Sequence, residues 1–228
     1  MELIQGDCIE HMSQMAAESV DLIIADPPYG IAYQSGHRSK QEREAMIGDY
    51  GNILWRLLPL VQRILKKEGA FYLFCRFDVS PDWWHMVGNY LRPLNKLIWV
   101  KNNWGMGDLK GNWASQYEEI IFAVKGRHLL RNGRPSNVLF ADRIAAQAMA
   151  HPTEKPAALM RQLIEASTSP GDLILDPCCG VGPVLVAAEQ TGRRAIGIEI
   201  NPQFCDEAER RCGSNLVLRP QAVRRAQQ

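Results

Sequence analysis

The chain has 228 residues, 46% of them hydrophobic and 22% charged, and a formal net charge of +1. That balance suits one globular domain with a sizeable core and excludes a polyelectrolyte, so any contact with nucleic acid must come from a local basic patch. No apolar run approaches the roughly 18 residues of a membrane span, and the N-terminus lacks a signal-peptide layout, so the expected location is the cytoplasm.

Taken in order, Glu2 to Gln5 reads as a short strand opening on Gly6-Asp7, and residues 8–16 as a short amphipathic helix carrying Ile9, Met12 and Met15. Five of the six residues from Val20 to Ala25 are apolar, which predicts a strand buried on both faces of a parallel sheet. The run stops at Asp26-Pro27-Pro28-Tyr29-Gly30. Proline donates no ladder hydrogen bond, and Pro28 biases Pro27 toward an extended conformation, so a stiff turn is expected at the carboxyl end of the strand. Residues 31–48 are polar without period and read as a loop. Helical spacing over 49–67 predicts a helix stopped by Gly69, followed by a strand from Ala70 to Cys75. A helix opening at Pro81, strands at Leu94–Val100 and Tyr117–Val124, and a short strand at Asn137–Phe140 come next. The strands flanking 101–116 have no helix between them and predict a hairpin. The remaining expectations are a helix over 156–168, a strand from Leu173 ending at Asp176, a helix from Val184 to Gln190, a strand from Ala195 to Glu199 and a helix over 202–212. The tail from Arg219 reads as frayed. Alternation of strands and helices argues for an α/β, doubly wound, mainly parallel sheet.

The turn at Asp26 carries chemistry as well as shape. The lone pair of an exocyclic amino group on a nucleobase is delocalised into the ring. A carboxylate and a carbonyl accepting its two N–H bonds free that lone pair, and an aromatic ring such as Tyr29 can stack on a flipped base. A plain strand-ending turn with a capping Asp is the alternative reading. A second constellation, Asp176-Pro177-Cys178-Cys179-Gly180-Val181-Gly182, stands between a strand and a helix. Its glycines permit close backbone approach to a ligand, and Glu199, about twenty residues on, is placed as in dinucleotide folds to hold both hydroxyls of a ribose. Between the two lies His151-Pro152-Thr153-Glu154-Lys155-Pro156, readable as a helix N-cap with a solvated Lys155 or as the amino-acid end of a cofactor site. The six cysteines, Cys8, Cys75, Cys178, Cys179, Cys205 and Cys212, match no zinc spacing and read as reduced thiols; no metal site is expected.

With these three motifs in this order, the sequence resembles the S-adenosylmethionine-dependent DNA amino-methyltransferases of the beta class, in which the catalytic half precedes the cofactor half. The resemblance covers most of the chain and implies a Rossmann-like sheet of seven strands, one of them antiparallel. It also implies a single methyltransferase domain over 1–228, with a short target-recognition region at 101–150. It implies that Asp26 and the Pro27 carbonyl bind the target amino group, that Pro28 stiffens the turn and that Tyr29 stacks on the flipped base. Asp26, Asp176, Pro177, Cys178, Gly180 and Gly182 would line the methionine end of the cofactor, with His151, Thr153 and Lys155 facing it. Glu199 would hold the ribose, and Ile200, Asp7 and Cys8 would lie near the adenine. The strand before Asp7 would lie beside the strand ending at Glu199. Departures fall at Cys178, Val181 and Pro183, where the family usually has Phe, Ser and Thr.

The implied reaction is in-line methyl transfer to adenine N6 of DNA, with Asp before Pro-Pro-Tyr favouring adenine over cytosine N4 by resemblance. RNA or a protein side chain is the alternative substrate, and a dinucleotide-binding module the alternative class. Relatives often pair, so a homodimer is a further expectation. For DNA contacts the sequence offers Lys101, Trp104, Lys110 and Trp113 in one loop and Lys125, Arg127, His128, Arg131 and Arg134 in another.

Overall fold

The computed structural model describes residues 1–28, 53–103, 110–142 and 154–219. Tyr29, Trp104, His151, Thr153 and the 31–48 loop lie outside the described residues. Within them the chain runs β1 (Glu2–Gln5), α1 (Cys8–Gln14), β2 (Val20–Ala25), α2 (Ile53–Ile64), β3 (Leu65–Cys75), α3 (Ser80–Gly88), β4 (Arg92–Val100), β5 (Tyr117–Val124), β6 (Val138–Phe140), α4 (Ala157–Ser167), β7 (Leu173–Asp176), α5 (Pro183–Gln190), β8 (Arg194–Glu199), α6 (Pro202–Cys212) and β9 (Val217–Arg219).

The strands form one sheet in the order β6-β4-β5-β3-β2-β7-β8-β1-β9. Among the described strands only β5 is antiparallel to its neighbours, pairing with β3 (Phe74↔Ile120) and β4 (Leu97↔Ile120), so the expected hairpin forms. Seven strands make the expected core, and two three-residue strands, β6 and β9, extend its edges. β9 escapes a reading of the sequence because it pairs with β1 at the other end of the chain, Leu3 opposite Leu218.

Strand β2 lies at the centre, and its side chains alternate between two cores. Leu22 and Ile24 face α4, α5 and α6 through Leu159, Leu163, Leu185 and Ala208. Ile23 and Ala25 face α1, α2 and α3 through Met12, Leu57, Val61 and Val87. Both faces are covered, which is why the run is apolar almost without interruption. Helix α2 ends at Ile64 rather than at 67. Leu65 already pairs with Val20, the register slips, and pairing resumes at Leu22 opposite Ala70, with Glu68 at φ 67 in the slip. Lys66 uses the slip to reach the Asp21 carboxylate at 2.8 Å.

This topology fixes where a ligand can sit. β3 lies on one side of β2 and β7 on the other, and both pair with it in parallel, so the connections leaving their carboxyl ends diverge there. Asp26, Asp176 and Glu199 all stand at that carboxyl edge. β1 runs parallel beside β8 with Gln5 opposite Glu199, as the resemblance implies.

Candidate functional site

The first turn begins where β2 stops. Asp26 follows Ala25, Pro27 is buried and Pro28 half-buried. One Asp26 oxygen, Oδ2, accepts a hydrogen bond of 2.5 Å from the Lys155 ammonium. Lys155 itself is buried, lies over the Phe74 ring at 5.2 Å, and stands 3.3 Å from Glu118 Oε2. Burial alone would discharge this lysine, but the Asp26 and Glu118 carboxylates outweigh it and hold its pKa above the ordinary lysine value. Glu118, at the start of β5, also binds Lys101 at 2.6 Å through its other oxygen. Burial pushes the Glu118 carboxyl up, and the two lysines more than reverse this, leaving it below the usual range.

The second turn begins at Asp176, the last residue of β7, whose Oδ1 accepts from the Cys178 N–H at 3.1 Å. Gly180 and Gly182 have φ of 51 and 77, the left-handed region that favours glycine, and Gly182 starts α5. A Cβ on Gly182 would press on Ala208 of α6 at 3.2 Å, whereas one on Gly180 would meet nothing within 4 Å. The loop is therefore tight against α6 and open at Gly180. Glu199 closes the turn, with Oε2 accepting from the Gly180 N–H at 2.9 Å and Oε1 from the Asn201 N–H at 2.8 Å. Burial raises the Glu199 carboxyl despite these donors. Asp176 is pushed up to about 8, first by burial, then by the Asp26 and Glu199 carboxylates, against the opposing effects of the Cys178 N–H and Lys155.

Glu154 and Lys155 join the two turns. The buried Glu154 carboxylate pairs with Arg211 of α6 at 2.6 Å, and Arg211 also donates to the Val181 carbonyl at 3.3 Å. Neighbouring residues thus grip the glycine turn on one side and the Asp26 turn on the other.

The structure brings Asp26, Lys155, Asp176, Gly180 and Glu199 to one edge. It gives Lys155 a partner that sequence reasoning did not supply, the Asp26 carboxylate. Asp7 caps α1, its Oδ1 accepting from the Ile9 N–H at 2.8 Å, while Cys8 is buried and Ile200 is exposed beyond β8. Pro177 is buried. The Cys8 thiol and burial together push the Cys178 thiol well up, and all six cysteines are free. Glu118 and Arg211 were not singled out from the sequence, since nothing local distinguishes them from other surface charges; Lys101 was offered only as a DNA contact and Glu154 only as a member of the His151–Pro156 run.

One basic cluster is not where the sequence reading needs it. β5 runs antiparallel, so Lys125 beyond its end returns to the amino edge, where its Nζ donates to the Leu65 carbonyl at 2.8 Å. His128 binds the Glu68 carbonyl there, and the Arg131 N–H donates to Ala166 at the end of α4. Lys125, Arg127, His128 and Arg131 therefore lie at the edge opposite Asp26. Lys101 does stand at the Asp26 edge.

Comparison with known proteins gives this arrangement a family. The DNA methylase family model of the N6/N4 type matches residues 20–147 and 131–210. The DNA adenine methyltransferase YhdJ of Escherichia coli K12 is 28% identical over 92% of this chain and 81% of its own. YubD of the same bacterium, which bears a methylase name, is 32% identical over 88% of this chain and 85% of its own. Among solved structures, M1.HpyAVI in complex with SAM superposes with a TM-score of 0.72 at 21% identity, covering 93% of this chain and all of that one (100%). The cytosine-N4-specific PvuII DNA methyltransferase does so with a TM-score of 0.74 at 18% identity, covering 93% of this chain and 86% of that one. These likenesses show the shared fold, and the family match, which spans most of the sequence, shows that the chain belongs to the N6/N4 DNA methylase family.

Proposed function

We propose that the chain transfers a methyl group from S-adenosylmethionine to the N6 amino group of an adenine turned out of DNA. The observation that carries this reading is the Asp26 carboxylate, anchored by a buried lysine at the same sheet edge as an open glycine turn and an acid able to grip a ribose. When bound, the cofactor supplies an electrophilic methyl on a sulfonium that departs as a neutral thioether. The site suits such a cation: the Asp26 and Glu199 carboxylates both lie near enough to Asp176 to raise its carboxyl, and Lys155 is the opposing charge acting on it.

In this reading Asp26, through the oxygen not given to Lys155, and the Pro27 carbonyl accept the two N–H bonds of the target amine. Those bonds hold the nitrogen toward tetrahedral geometry and aim its lone pair. Pro28 keeps the turn from yielding, and Tyr29 is proposed to stack on the base. Gly180 and Gly182 admit the cofactor to the backbone, with Asp176, Pro177 and Cys178 beside its methionine end. His151 and Thr153 are proposed to reach that end too. Glu199 keeps free lone pairs for ribose hydroxyls, and Ile200, Asp7 and Cys8 are proposed to flank the adenine. The chain over 1–228 acts as one methyltransferase domain, with 101–150 as its target-recognition region.

Adenine is favoured by Asp26 and by the name of the relative YhdJ. The test is incubation with isotopically labelled S-adenosylmethionine and undermethylated genomic DNA, followed by digestion to nucleosides and mass analysis. N6-methyldeoxyadenosine is the expected product. N4-methyldeoxycytidine would replace adenine by cytosine, and label entering RNA or protein but not DNA would overturn the reading.

DNA docked at the Asp26 edge leaves the opposite edge free. Replacing Arg127 and Arg131 by glutamine therefore leaves the slope of log affinity against log salt essentially unchanged, whereas two lost phosphate contacts would reduce it by about 2. A fall of that size, measured by fluorescence anisotropy across a salt series, would put DNA on the other edge.

A further inference from the structure

Asp26 is one end of a line of charges that runs Asp26–Lys155–Glu118–Lys101. Its third member, Glu118, has no part in the chemistry proposed above. It is well packed, at 20% side-chain exposure, and it divides its oxygens. Oε2 stands 3.3 Å from the buried Lys155 ammonium, and Oε1 takes Lys101 at 2.6 Å. Oε2 is shielded from solvent and forms no closer hydrogen bond among the described residues. A buried carboxylate is costly unless it holds something in place. Lys101 is where β4 leaves the sheet, over the Trp99 ring at 5.1 Å, and its backbone is pinned to Gln116 by N–H···O at 2.9 Å and by the Gln116 amide at 3.0 Å. Glu118 thus ties the ammonium on Asp26 to the base of the hairpin loop.

We propose that Glu118 is a positioning residue for methyl transfer: it shares the Lys155 ammonium with Asp26 and so sets which Asp26 oxygen is offered to the target amine. This rests on the proposed function. The physical argument is one of balance. Lys155 sits closest to Asp26, 2.5 Å from Oδ2, and has Glu118 Oε2 on another side at 3.3 Å; without that second carboxylate the ammonium could swing between the two Asp26 oxygens. Glu118 fixes the ammonium from its second side, so that it stays on Oδ2 and the orientation of the Asp26 carboxylate is set. Its neighbour Glu119 supplies an internal control. Successive strand residues face opposite sides, and Glu119 lies on the other face, where it binds the buried Ser80 hydroxyl at 2.5 Å and Lys96 at 3.1 Å. It is a glutamate like Glu118 and more buried, but among the described residues its hydrogen bond and ion pair run to Ser80 and Lys96, anchoring α3 to the sheet rather than reaching toward Asp26.

The experiment compares wild type, Glu118→Gln, Glu118→Asp and Glu119→Gln as full chains, with S-adenosylmethionine and undermethylated genomic DNA. Steady-state methyl transfer, cofactor affinity by calorimetry and thermal melting are measured for each. Glu118→Gln is expected to lower kcat by about tenfold, with KM for DNA and cofactor affinity within about twofold of wild type, because the misplacement acts on the reacting geometry alone. Glu118→Asp keeps the charge and is expected to recover part of the loss. Glu119→Gln is expected to lower the melting temperature while leaving kcat within about twofold. Wild-type kcat in Glu118→Gln overturns the proposal, as do a parallel fall in cofactor affinity, an equal kcat loss in Glu119→Gln, or an aspartate no better than the glutamine. Should Glu118→Gln fail to fold, the aspartate against Glu119→Gln decides by the same criteria. A wild-type protein that does not methylate DNA refutes the proposed function instead, before any variant is compared.

Discussion

Asp26→Ala leaves a protein that binds S-adenosylmethionine and does not methylate: kcat falls by at least about 10²-fold, the scale on which a single aligned hydrogen-bonding group acts at a reacting centre. The amino nitrogen of adenine is a poor nucleophile until its protons are held, and no other carboxylate among the described residues is anchored on that turn. Glu199 and the glycine turn lie on neighbouring strands and keep their own backbone donors, so the cofactor should lose little. The substitution also strips Lys155 of the anion at 2.5 Å and leaves it, buried, with Glu118. A lower melting temperature should therefore accompany the lost activity. Calorimetry with the cofactor separates the two effects: near-wild-type affinity with no single-turnover methyl transfer is the expected pair. A variant that still methylates at a comparable rate removes Asp26 from the reaction.

The second large effect concerns Asp176. Its carboxyl is raised to about 8 in the folded chain, by burial and by the nearby Asp26 and Glu199 carboxylates, and returns to an ordinary carboxyl on unfolding. Between those two values the folded state holds a proton that the unfolded state has released. Stability without ligand is therefore greatest below the unfolded value and is lost as pH rises toward about 8, by at most about 1.4 kcal/mol per pH unit. Asp176→Asn removes this slope. Its melting temperature at about pH 8 should exceed wild type by roughly 5 °C, a few kcal/mol at this chain length, and the gap should shrink toward about pH 6. A cation bound beside Asp176 favours the deprotonated form, so cofactor affinity in wild type should rise with pH over the same window while that of Asp176→Asn stays flat and weaker. Identical melting profiles for the two proteins across that range would show that Asp176 does not titrate there.

What could be read in the sequence was local. The apolar run before Asp26 specifies a strand buried on both faces, the two prolines end it, and Gly180 and Gly182 adopt backbone angles that few other residues tolerate. Each of those features carries its own physical cause within a few residues, so the two turns, the acid at Glu199 and the doubly wound class were legible, as was the hairpin between β4 and β5. The slip at residues 65–69 was not, because Leu65 leaves the helix to pair with Val20, a strand partner that no helical period encodes.

By itself, then, the sequence determined which residue types stand at which strand ends, and so the chemistry available to the chain. Only the tertiary structure decided which of those groups meet. Lys155 reaches Asp26 across a sequence separation of 129, because β2 and the segment before α4 converge at one sheet edge. The direction of β5 sends Lys125 and Arg131 to the far edge while keeping Glu118 beside the lysine, and the strand's alternation selects Glu118 over Glu119. Burial, strand direction and face are properties of the packed sheet, and the electrostatics of this site follow from them.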